Sequence, residues 1–140
     1  MQKLEFDEAV DILLNSDSRY TREAYVFIRD GLDHTMKMMK RKGNEGHVTG
    51  QQLCEGLKQY ALKQYGPMVP TVFEYWGIKC TDDFGEIVWN LVELGVFGKT
   101  EGDSKADFKG VFDFTEAFVV PFAFEKPAKQ TRPRQQSRVV

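Results

Sequence analysis

The stretch "TDDFGEIVWNLVELG", residues 81–95, constrains the fold more than any other part of the chain, because its pattern fits only a helix packed along one side. Phe84, Ile87, Val88, Leu91 and Val92 recur at helical spacing and define a face to be buried. Thr81 is placed to cap this helix, Asp82 and Asp83 sit where the dipole favours negative charge, and Gly95 marks its end. At roughly 100° per residue, Asp82, Glu86, Trp89 and Glu93 fall on one stripe opposite the apolar face.

Other segments repeat this logic. Phe6, Ala9, Val10 and Leu13 predict an amphipathic helix that stops within residues 15–18. A longer helix over residues 20–42 carries Tyr20, Ala24, Phe27, Ile28, Leu32, Met36 and Met39 in a wide stripe and ends at Gly43. Thr49 with Gln52 three residues on is a capping box, and Val48 with Leu53 can form a hydrophobic staple. They predict a helix from about Gly50 to Tyr65, with Leu53, Leu57, Tyr60 and Ala61 inward and Gly66-Pro67 ending it. A short helix over residues 70–76 is bounded by Pro70 and Gly77.

Residues 96–114 have β-prone ends around a polar, glycine-bearing middle and read as a two-stranded hairpin. Phe108, Phe112 and Phe114 alternate, so one face of the returning strand would pack on the helices. A last helix over residues 115–120 would be stopped by Pro121. The expected fold is one mainly helical α+β domain, five or six helices with a C-terminal β-hairpin, spanning residues 1–125.

This order of helices followed by a hairpin resembles the winged-helix arrangement. The runs "YTREAYVFIRDGL", "HVTGQQLCEGLKQYALKQYG", "WGI", "TDDFGEIVWNLVEL" and "DFKGVFDF", within residues 19–118, also resemble a bacterial family of conserved hypothetical proteins described from planctomycetes and verrucomicrobia. That resemblance bears on the boundary of the fold and implies no activity, ligand or catalytic residue.

Charge separates the function classes. Residues 1–125 hold 14 basic against 21 acidic side chains, whereas residues 126–140 hold Lys126, Lys129, Arg132, Arg134 and Arg138 and no acid. This Gln- and Pro-containing basic tail reads as disordered, either a plain solvated end or a binder of something negative. Duplex DNA is held largely through Lys and Arg on phosphates, and the 81–95 helix would present acids there, so groove reading through it is not expected. Lys37, Lys40, Arg41 and Lys42 could join the tail in contacting phosphates, but Lys and Arg at a helix end also complement its dipole.

The stripe of Asp82, Glu86, Trp89 and Glu93 is a candidate anchor for a basic peptide, a partner's or the chain's own tail, through cation–π contact and paired charge. The alternative is that Trp89 packs under a neighbouring element. The expected function is therefore a non-enzymatic protein or peptide interaction module, with nucleic-acid association second and a small-molecule enzyme third.

Catalytic and metal patterns are sparse. Cys80 precedes a helix N-terminus, but two acids follow it and oppose a thiolate, and His34 and His47 have no second ligand at metal spacing. "DSKADFKG" carries Lys105 where a calcium loop needs an oxygen ligand, and "GNEGHVTG" lacks the Gly-Lys-Ser/Thr ending of a phosphate loop, so no cofactor is expected. Cys54 and Cys80 are too few for a disulfide framework, and no apolar run reaches membrane-spanning length. A soluble, cytoplasmic protein without a membrane partner is the expectation.

Overall fold

A computed structural model describes residues 4–43 and 47–123. Five long helices run in chain order: α1 Phe6–Ser16, α2 Arg22–Arg41, α3 Gly50–Tyr65, α4 Val69–Trp76 and α5 Thr81–Glu93. Two short ones, α6 Phe114–Phe118 and α7 Val120–Ala123, follow, and 3-10 turns occupy Gly66–Met68 and Lys105–Phe108.

The capping box of α3 and the glycine stop of α4 act as the sequence implies. Thr49 Oγ1 accepts the Gln52 amide at 3.1 Å, and the Gln52 side chain accepts the Thr49 amide at 2.9 Å. Gly77, at φ 87°, ends α4 in the left-handed region that residues with a Cβ disfavour. Most of the predicted inward residues of α2, α3 and α5 converge on one core, in which Phe27, Phe73 and Phe84 meet with ring centroids 5.4 to 6.5 Å apart, but Met36 and Met39 of the α2 stripe stay outside it. Burying such rings provides the main drive for assembly.

Helices α2 and α3 approach closely because Gly56 leaves room for buried Thr35: a Cβ on Gly56 would lie 1.9 Å from Thr35 Oγ1. The Thr35 hydroxyl donates to the Gly31 carbonyl at 2.8 Å and so is satisfied within its own helix.

The hairpin does not form. Among the described residues there is no strand, so the fold is all-α, and both the α+β class and the winged-helix arrangement are overturned. The reason lies in where the backbone groups of residues 96–111 find partners. The Val96 and Phe97 amides both return to the Leu91 carbonyl, folding the chain back on the end of α5. Asp82 accepts the Gly110 amide at 3.1 Å and Thr81 Oγ1 accepts the Val111 amide at 3.1 Å, so side chains of α5 take the place of a partner strand.

Between these anchors, Ser104 and Asp107 form a capping box around the 3-10 turn, with the Ser104 amide 3.0 Å from Asp107. The turn drives Phe108 into a notch where Gly85 makes room: a Cβ there would lie 2.9 Å from Phe108 Cβ. The alternating Phe108, Phe112 and Phe114 therefore do not share a face. Phe108 packs on Trp89, whereas Phe112 and Phe114 cluster with Phe118, and Phe118 reaches Phe73.

Two smaller expectations are also corrected. Thr81 is not the cap of α5, a position held by Cys80; its buried hydroxyl donates to the Phe108 carbonyl at 2.7 Å. Pro121 does not stop a helix but stands in the first turn of α7, where a missing amide hydrogen leaves no bond unmade.

Candidate functional site

The folding back of residues 96–108 creates a cleft of about 350 Å³, open to the surface, between that segment, the second half of α2, the start of α3 and the second half of α5. Its walls are mainly apolar. Leu32 and Met36 come from α2, Val88, Trp89 and Val92 from α5, and Val96 and Phe97 from the returning chain, while Val48 and Leu53 line the α3 side. Trp89 is half-buried and meets Phe108 edge-on, with ring centroids 6.2 Å apart. Met36 stands at the mouth, 52% exposed.

The polar rim is organised by Asp103. Its carboxylate accepts the Thr100 amide at 2.8 Å and lies 2.7 Å from His47 Nε2. The amide bond, and after it the imidazole, hold the Asp103 carboxyl below its ordinary range. Asp107 is engaged by the Ser104 amide, and Lys99 completes the rim.

The predicted acidic stripe is divided by these contacts. Asp82 accepts from Gly110, and Glu86 pairs with Arg19 and Lys105, each at 3.3 Å. Trp89 turns into the cleft, and only Glu93 of the four is fully exposed. Asn90, the amide side chain of α5 that could pair with an adenine edge, donates instead to Asp17 at 3.1 Å and to the Tyr25 hydroxyl at 3.0 Å. Asp17 also receives the Arg19 guanidinium at 2.8 Å, which holds its carboxyl well below the usual carboxylate range. Asp83 accepts from the Tyr20 hydroxyl, and burial, with this bond after it, pushes the phenol up. The outward face of α5 is thus largely a fastening for the α1–α2 connection and for residues 105–111.

The basic residues are placed otherwise. Lys37 pairs with Asp33 at 3.0 Å one turn away, while Lys40, Arg41 and Lys42 are exposed at the end of α2 and make no ion pair among the described residues. Lys126, Lys129, Arg132, Arg134 and Arg138 lie outside the described residues, as does the predicted boundary at 125.

Cys80 is exposed at the start of α5 and does not line the cleft. Cys54 is fully buried, and burial pushes its thiol up to about 12. His34 packs on Tyr60 with its Nε2 buried and unpaired among the described residues. Among the described residues no three His, Cys, Asp or Glu side chains gather closely enough to hold a metal ion, and no helix is long and apolar enough to cross a membrane.

Sequence reasoning placed Trp89 on the helix and expected Phe108 to pack on the helices, though from a strand, but it missed the cleft and the part of Asp103 in its rim. One local signal did mark the turn beneath them: Ser104 with Asp107 three residues on has the spacing of a capping box. Comparison with protein-family models, with curated proteins and with solved structures found no match to this chain.

Proposed function

We propose that the chain is a non-enzymatic interaction module that receives bulky apolar side chains of a protein partner in the cleft at Met36, Trp89 and Val92. The observation that carries this reading is an open, mainly apolar cleft of about 350 Å³ with a half-buried indole in its wall and a half-exposed methionine at its mouth. Its size suits one or two large side chains, and aromatic and methionine side chains are favoured where one surface must receive another. Trp89 keeps the anchoring role expected from the sequence, but toward an apolar group, since Asp82 and Glu86 are engaged within the fold.

Selection of displayed random peptides on the folded protein tests the reading. Peptides sharing a bulky apolar anchor are expected, and they should bind Met36→Glu at least about tenfold more weakly. Met36 is at the surface, so that substitution should leave stability within about 0.5 kcal/mol. Selection that yields no peptides, or only peptides indifferent to Met36→Glu, overturns the reading.

A further inference from the structure

Lys99 lines the cleft and Lys40 stands one helical turn beyond the cleft residue Met36, and we infer that the partner of the cleft is an acidic amphipathic helix, apolar anchors in the cleft and Asp or Glu side chains toward Lys40 and Lys99. This inference rests on the cleft reading and adds the partner's charge and shape.

The asymmetry of the rim carries it. The acids that border the cleft from residues 103–107 are already engaged, Asp103 by His47 and the Thr100 amide and Asp107 by the Ser104 amide. The cations are not: Lys99 lines the cleft and Lys40 lies one turn beyond Met36 on α2, both exposed and without an ion pair among the described residues. Arg41 and Lys42 extend the positive end of the same helix. Among the described residues, exposed acids on the same elements include Glu93, one turn beyond Trp89, Glu101 in the returning segment and Asp33 of α2, which pairs with Lys37, so the end of α2 keeps unpaired positive charge at Lys40 and Arg41.

A helix laid in a groove presents anchors at i, i+3, i+4 and i+7 and polar side chains along its flank. Unpaired lysines at two edges of the cleft, one on α2 and one on the returning segment, favour an acidic flank on the bound helix, because like charges brought together across an interface are penalised. The unbranched side chain of Met36, exposed at the mouth, can adjust to anchors of different shape.

The test is the charge of the peptides that the folded protein selects, followed by their binding to the Lys40→Glu, Lys99→Glu double variant. Acidic residues flanking helically spaced apolar anchors are expected, with binding weakened about tenfold or more in the double variant and association slowed by added salt. A restored preference for peptides with Lys in place of Glu in that variant would support it further. Peptides that depend on Met36 but are neutral or basic overturn the acidic helix and leave the cleft reading standing. Failure to select any peptide that depends on Met36 overturns both. Retention of duplex DNA at moderate salt, lost in the double variant while peptides are not bound, assigns the lysines to phosphate and also overturns the inference.

Discussion

Single side chains show how strongly context changes a residue's task. Asp83 reads locally as an acid that complements the dipole at the start of α5, yet it also receives the Tyr20 hydroxyl, and Asn90 on the same helix satisfies the buried Tyr25. His34 is a second case. Desolvation, and after it the charges of Lys63 and Arg41, lower its pKa from the ordinary 6.5. Above 6.5 it is neutral whether folded or not and contributes nothing to the pH dependence of stability. As pH falls below 6.5 the unfolded chain takes up a proton that the folded chain resists, so stability declines until the lowered folded value is reached. His34→Phe, which keeps a ring against Tyr60, should flatten the fall of melting temperature in this acidic window relative to the native chain. An unchanged slope would show that other groups govern it.

Among elements, the helices with matched caps and apolar faces were legible, and the segment between α5 and α6 was not. Thr49 and Gln52 announce α3 because a capping box is satisfied within four residues. Residues 96–111 carry a β-like pattern whose hydrogen bonds could have gone to a second strand; Leu91, Thr81 and Asp82 take them instead, and those partners lie in another element. The 3-10 turn within this segment should depend on its own cap. Ser104→Ala is expected to cost about 0.5–2 kcal/mol in urea denaturation, and hydrogen exchange should quicken at residues 105–108 before it does in α5. Equal quickening in both would tie the turn to α5 as a single unit.

For the molecule as a whole, one aromatic core joins α2, α4, α5 and α6, and Cys54 reports on its closure. With Cys54 fully buried and its thiol raised, only Cys80 should react with a thiol reagent in native buffer. Cys54 should label at the rate of global unfolding, measured by mass spectrometry over a denaturant series. Labelling of Cys54 as fast as Cys80 would mean that the core opens locally at α3.

By itself the sequence determined the five long helices, most of their buried faces and the separation of acidic and basic segments, since each depends on residues three or four apart or on composition alone. The tertiary structure decided that the chain after α5 folds back without strands, that Asp82 and Glu86 are held internally, and that Trp89 faces a cleft. Those outcomes depend on backbone groups and charges meeting partners from distant elements, and on glycines that let Phe108 approach α5, neither of which a local pattern records.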